Sequence, residues 1–170
     1  MVKKGPVTAI YPGTFDPLTM GHVSLVHRGL DVFDKIVVAV AVNTPKKTLF
    51  TIEERVVMAA QVFANTPQVE VEAFEGLLVD YAVRRGARAI LRGLRAVSDF
   101  EFEFQLALMN RKLKREIQTV FLMTDYKWLY ISSTIIKEAA ALGGNIKGLV
   151  PEIVVPHLYA KYGNKPESAS

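Results

Sequence analysis

The chain predicts an α/β fold: a Rossmann-like, doubly wound sheet of five parallel strands with helices on both faces. Three observations predict it. Short β-branched runs alternate with helix-period segments along the length of the chain. Lys35–Val42 (KIVVAVAV) is a near-continuous apolar run, as expected of a strand covered on both faces. The first apolar run passes through a Gly/Pro turn directly into a helical pattern, the βα unit from which such sheets are built.

In order, Val7–Tyr11 reads as a strand, followed by a turn and a helix from about Met20 to Phe33. After Lys35–Val42 comes a loop rich in Asn, Thr, Pro and Lys. Thr51-Ile52-Glu53-Glu54 is then a capping box that opens a helix to about Ala64. Val69–Phe74 is the third strand, Leu77–Arg85 a helix and Ala89–Leu91 a short fourth strand. Ser98–Leu108 (SDFEFEFQLAL) alternates like a half-buried strand. It reads instead as a helix, because Ser98 and Glu101 form a capping box and Phe100, Phe104, Ala107 and Leu108 share one face. Arg111-Lys112-Leu113-Lys114-Arg115 ends that helix, where cations suit the dipole. Gln118–Met123 is the fifth strand, and helices follow over Ser133–Leu142 and Pro151–Tyr162. Residues 1–162 are expected to form one domain, and the small polar stretch Gly163–Ser170 a flexible tail.

At 170 residues, half of them hydrophobic, the chain can enclose a core without staples. It has no cysteine, which excludes disulfide scaffolds, Cys-ligated zinc and thiol catalysis. No uncharged apolar run approaches the ~20 residues of a membrane span, and the start lacks the apolar stretch and cleavage site of a signal peptide. A soluble, cytoplasmic protein is expected. The net charge of +4 is ordinary for solubility, and the basic run lacks the interleaved aromatics of a nucleic-acid surface.

The chemistry concentrates in the first turn, Thr14–His22 (TFDPLTMGH). It is neither a P-loop nor a GxGxxG fingerprint. Its logic is similar, because small residues let the backbone approach a phosphate and a helix N-terminus begins immediately beyond. Gly21 removes a side chain that would crowd the anion, and His22 lies in the first helical turn, able to aim its imidazole there. Alone, His22 would be an ordinary surface histidine; strand, glycine turn, hydroxyls and histidine together favour a site.

YPGTFDPLTMGH resembles the signature of the HxGH-type nucleotidyltransferases, with Thr19 at the first position of the [HT]xGH element. Four further blocks narrow the resemblance to the bacterial phosphopantetheine adenylyltransferase family. These are Lys46-Lys47-x-x-Phe50-Thr51-x-Glu53-Glu54-Arg55, Arg92 to Glu101 (RGLRAVSDFE), Asn110-Arg111, and Ile131-Ser132-Ser133-Thr134-x-x-Lys137-Glu138. They fall in family order across nearly the whole chain. The departures are small: Phe102 replaces a familiar tyrosine, Thr134 a common serine, and Asn43-Thr44-Pro45 a more familiar small-residue pattern.

The resemblance implies transfer of the adenylyl group of ATP to 4′-phosphopantetheine, giving dephospho-coenzyme A and pyrophosphate. His22, Lys46 and Arg92 are the implied catalytic groups. Thr14, Lys46, Leu78, Arg92 and Asn110 are expected at the acceptor. Thr14, Phe15, His22, Gly93, Leu94, Arg95, Glu103, Trp128, Leu129, Tyr130, Ile131, Ser132, Ser133 and Thr134 are expected around ATP. The family also implies Mg²⁺ carried by the ATP phosphates with no protein metal ligand, a homohexamer, and feedback binding of coenzyme A. On residues alone other readings stand beside these. Lys46 and Lys47 suit a solvated loop, with Lys47 the more peripheral. Arg92 and Arg95 follow a strand, where they suit a phosphate clamp, or ion pairs with Asp99, Glu101 or Glu103. Leu77 and Leu78 suit the core, Trp128 suits packing or stacking, and one of Ser132, Ser133 and Thr134 suits an N-cap. A different phosphate acceptor, such as nicotinamide mononucleotide, and a non-catalytic nucleotide-binding protein are the rival functions.

Overall fold

A computed structural model describes residues 5–42, 47–95 and 97–164, the side chains of Val97 and Ser98 excepted. The strands are β1 (Thr8–Gly13), β2 (Lys35–Ala41), β3 (Val69–Phe74), β4 (Ala89–Leu94) and β5 (Gln118–Met123). The helices are α1 (Met20–Gly29), α2 (Ile52–Val62), α3 (Leu78–Arg84), α4 (Val97–Leu113), α5 (Ser133–Ala141) and α6 (Val154–Tyr162). The strands form one all-parallel sheet in the order β3-β2-β1-β4-β5, the doubly wound arrangement expected.

β1 and β2 are central and read as expected: Ile10 and Val37 are wholly buried on one face, Ala9, Ile36 and Val38 on the other. The first face is covered by α3 and the second by α1 and α2. A third apolar cluster joins α5 and α6 to Phe50 and Met58, beside the sheet rather than on it. The α2 capping box forms as read, with Thr51 Oγ1 accepting from the Glu54 amide and the Glu54 carboxylate accepting from that of Thr51.

Several boundaries differ from expectation. β4 runs on through Arg92, Gly93 and Leu94, which pair with Phe121, Leu122 and Met123 of β5. Arg92 and Gly93 therefore lie in the strand and not after it. α1 stops at Gly29, where turn bonds take over up to Phe33. α6 starts at Val154, three residues beyond Pro151. The C-terminal stretch is held further than expected: Gly163 caps α6 in the left-handed conformation, and Asn164 donates to the Ala140 and Ala141 carbonyls of α5. The rest of the expected tail, 165–170, lies outside the described residues.

α4 is a helix, as its face pattern indicated, but the face is not core. Phe100, Phe104 and Leu108 are each about half exposed, as are Phe102, Met109 and Leu113. Leu77, read as core, is 49% exposed, whereas Leu78 is partly buried against the cluster that contains Ile10, Val37 and Val79.

Leu91 is wholly buried between the α1 side of the sheet and Gly29. Leu91→Ala should cost about 2–5 kcal/mol, transfer plus cavity. Urea unfolding at constant m-value checks this, and a loss below about 1 kcal/mol would show a site that collapses freely.

Candidate active site

A parallel sheet whose chain order reverses leaves a crevice at the strands' carboxyl ends. Here β1 pairs with β2 from Thr8 to Gly13, and β4 with β5 from Ala89 to Leu94. β1 and β4 share only Ala9↔Ala89 and Ile10↔Ile90. Beyond those pairs the two strands part, and a cavity of about 900 Å³ opens between them, within the size range of small-molecule sites. The Arg92 guanidinium spans the gap, with Nη1 donating to the Pro12 carbonyl at 3.3 Å.

The first turn forms the wall above β1. Its backbone is constrained: Phe15 sits at φ 49°, unusual for a residue with a side chain, with its ring 3% exposed. Gly13 permits this placement, because a Cβ there would lie 2.7 Å from the Phe15 ring. Gly21 lines the cavity, and a Cβ there would make ordinary van der Waals contact with Trp128, Thr19 and Ile131 at 3.4–3.7 Å.

His22 is the most defined group in the wall. Thr19 caps α1: its Oγ1 accepts from the His22 amide at 3.3 Å, while its own amide donates to His22 Nδ1 at 3.0 Å. An imidazole nitrogen that accepts from a backbone N–H carries no proton, so the ring proton is on Nε2. Phe15 packs edge-on against the ring at 5.1 Å. Burial disfavours the imidazolium and the Arg95 charge opposes it further, lowering the pKa from 6.5 to about 4. His22 is thus a neutral, oriented donor at the cavity wall.

Opposite the turn, Arg92 and Arg95 are ion-paired within the site. Arg92 Nε donates to Glu103 Oε2 at 2.7 Å and Nη2 to Oε1, and the carboxylate is 9% exposed. Arg95 pairs with Asp99 at 3.4 Å and donates to the Ile131 carbonyl at 3.2 Å. Of the alternatives read for these arginines the ion pairs form, with Glu103 and Asp99, and both arginines line the cavity. The third wall is the start of α5. Ser132 is the N-cap, accepting from the Ile135 amide, and Ser133 Oγ donates to the Pro17 carbonyl at 2.8 Å.

Of the expected residues, Thr14, Phe15, His22, Leu78, Arg92, Gly93, Arg95, Glu103, Trp128, Ile131, Ser132, Ser133 and Thr134 reach this one cavity. Leu94, Asn110, Leu129 and Tyr130 do not line it; the Leu94 carbonyl accepts instead from the Thr124 amide, and Tyr130 is 66% exposed. Lys46 lies outside the described residues. Lys47, read as peripheral, does line the cavity. Two groups the sequence reading gave no role also line it, Asp16 and Lys137, paired at 2.6 Å. The signal for Asp16 was available: an acid inside an anion-binding turn requires a cation partner.

A cytidylyltransferase-like family model matches residues 10–139. The phosphopantetheine adenylyltransferase of Nitratidesulfovibrio vulgaris strain DP4 is 72% identical over 91% of this chain and 83% of its own length. That of Oleidesulfovibrio alaskensis is 72% identical over 91% of each chain. The protein of the same name from Lawsonia intracellularis is 60% identical over 91% of this chain and 90% of its own.

Nitrogen-detected NMR of the ring should show His22 neutral, with the proton on Nε2, through pH 6 and a midpoint near 4. The unfolded chain takes up this proton near 6.5 and the folded chain only near 4. His22 therefore contributes stability that is complete above pH 6.5 and is lost as pH falls from there towards 4. A midpoint near 6.5 would contradict the buried, repelled imidazole.

Proposed function

The chain belongs to the phosphopantetheine adenylyltransferase family, within the cytidylyltransferase-like proteins, and on that premise we propose how its residues carry out the transfer. It is a nucleotidyltransferase of coenzyme A biosynthesis, moving the adenylyl group of ATP to 4′-phosphopantetheine with release of pyrophosphate. The acceptor phosphate is already ionised near neutrality and attacks the α-phosphorus directly, so no general base is needed. Catalysis then rests on position and on charge stabilisation in the transition state.

The observation that carries this assignment is the neutral His22, its Nδ1 occupied by Thr19 and its Nε2–H left as donor, on one cavity with Arg92, Arg95 and the α5 hydroxyls. His22 donates from Nε2 to a non-bridging α-phosphate oxygen as charge builds there. Thr14, Lys46 and Arg92 hold the acceptor phosphate, with Leu78 against the pantetheine arm. Gly93, Arg95, Glu103 and the segment Trp128–Thr134 hold ATP, the helix N-terminus at Ser133 facing its outer phosphates. Arg92 keeps Nη1 on the Pro12 carbonyl and uses Glu103 to hold its plane, a geometry suited to a second, phosphate-directed contact.

Mg²⁺ accompanies the nucleotide. The carboxylates around the cavity suit that arrangement, because Asp16, Asp99 and Glu103 are each engaged by a cation of the chain. When bound, the ion neutralises phosphate charge. Among the described residues no helix is long and apolar enough to cross a membrane, which supports a cytoplasmic enzyme. The exposed apolar face of α4 supports self-association as a homohexamer. Coenzyme A, which shares the pantetheine arm, is the expected feedback ligand of the same cavity.

Purified protein should release pyrophosphate from ATP only when 4′-phosphopantetheine is supplied; release with nicotinamide mononucleotide instead would overturn the acceptor, and none with any acceptor would favour a binding protein. His22→Ala should lose about 3–4 kcal/mol of transition-state stabilisation, seen chiefly in kcat, as for loss of one oxyanion donor. A folded variant with near-native turnover would remove His22 from the mechanism. Light scattering should give a hexamer mass for the native chain and a smaller species for Leu108→Asp, while a monomeric native chain would overturn the assembly.

A further inference from the structure

Asp16 is an acid in the wall of a site built for anions. Left free, its charge would repel both substrates. It is 4% exposed and accepts from three groups of the chain. Oδ1 accepts from the Phe50 amide at 2.9 Å, and Oδ2 from the Leu49 amide at 2.9 Å and from Lys137 Nζ at 2.6 Å. Leu49 and Phe50 close the loop that leaves β2, and Lys137 stands on α5, one turn beyond the Ser133 hydroxyl that donates to Pro17. The other end of the same loop is held by Arg55, 3% exposed, which donates to the Thr14 carbonyl at 2.7 Å and to that of Ala41 at 3.2 Å. The first turn is thus hydrogen-bonded to the Leu49–Phe50 segment, to α5 and to Arg55 of α2, which also meet one another in the apolar cluster around Phe50, Met58 and Ile136.

From this geometry we infer that Asp16 and Lys137 are positioning residues, a buried ion pair that clasps the first turn to the Leu49–Phe50 segment and to α5, setting the distance between His22 and the Ser132–Thr134 hydroxyls. The inference rests on the adenylyl-transfer reading above. Its rival is that Lys137, which lines the cavity, is itself a phosphate ligand. The geometry disfavours the rival, because Nζ lies within hydrogen-bond reach of a carboxylate that neutralises its charge. A clasp and a ligand respond differently to substitution. Removing either half of a clasp has the same consequence, and removing both adds nothing further. Removing a ligand raises KM for the substrate it holds, and removing its carboxylate partner frees it to bind more tightly.

The test measures kcat and KM for ATP and for 4′-phosphopantetheine in the full chain, by pyrophosphate release, for Asp16→Asn, Lys137→Met, the double variant and Lys137→Arg. The clasp requires each single substitution to lower kcat on the order of a hundredfold, the effect of a misplacement near 1 Å, with both KM values little changed. The double variant should be no worse than the worse single, and Lys137→Arg should recover most of the turnover. A selective rise in KM for Lys137→Met without its counterpart in Asp16→Asn would make Lys137 a ligand and overturn the clasp. Unchanged turnover in folded variants would reduce the pair to a stability device and overturn it equally. If Asp16→Asn does not fold, Lys137→Met and Lys137→Arg carry the comparison, since both leave the carboxylate its backbone donors. A native chain that releases no pyrophosphate overturns the reaction but not the clasp, which amide exchange then reads: Lys137→Met must speed exchange at Leu49 and Phe50, and unaltered exchange there refutes the inference.

Discussion

β1 and β4 are neighbours in the sheet yet share a ladder only as far as Ile10 and Ile90. Every feature of the site follows from that parting. Each strand continues towards its carboxyl end by pairing with its other neighbour, β2 for β1 and β5 for β4, so the gap costs no unpaired strand beyond the crevice itself. It is walled by the Thr14–His22 turn that leaves β1 and by the carboxyl end of β4, Arg92 and Gly93, with Arg95 just beyond. Chain order decides this, because the connections leave β1 and β4 in opposite directions across the sheet.

Charge is managed in the cavity by pairing. Arg92 with Glu103, Arg95 with Asp99 and Lys137 with Asp16 give each of these three cations a carboxylate partner. An anionic substrate then meets guanidinium groups already held in place. Little ordering remains to be done when a phosphate arrives, which is what catalysis by position requires. His22 fits the same scheme. Burial and Arg95 keep it neutral, so it offers a hydrogen bond without adding to the positive charge, and Thr19 holds Nδ1 so that the donor is Nε2.

How much of this was legible depended on whether the relevant residues are close in sequence. Although its Thr19 cap went unread, the first turn was legible because its glycine and histidine fall within Thr14–His22 and fold as a local unit. The same holds for the α2 box at Thr51–Glu54. The extent of β4 was not: Arg92 and Gly93 break the apolar run, and what keeps them in a strand is pairing with Phe121 and Leu122. The exposure of the α4 face was not legible for a related reason. Its periodicity correctly marks a helix, but periodicity cannot say whether an apolar face meets the chain's own core or remains exposed. Leu94, Asn110, Leu129 and Tyr130 carried a family expectation and lie off the cavity wall of this single chain.

The amino-acid order by itself determined the α/β class, the strand-turn-helix that bears His22, and the motif set that marks the family. Those features rest on alternation, capping and spacing, which are local and visible in the chain. Only the tertiary structure decided which distant groups meet. Asp16 finds Lys137 across 121 residues, and Arg92 finds Pro12 across 80. The reason is physical: a buried carboxylate takes as partner whatever cation the packing of sheet and helices brings within reach, and that packing is a property of the whole fold.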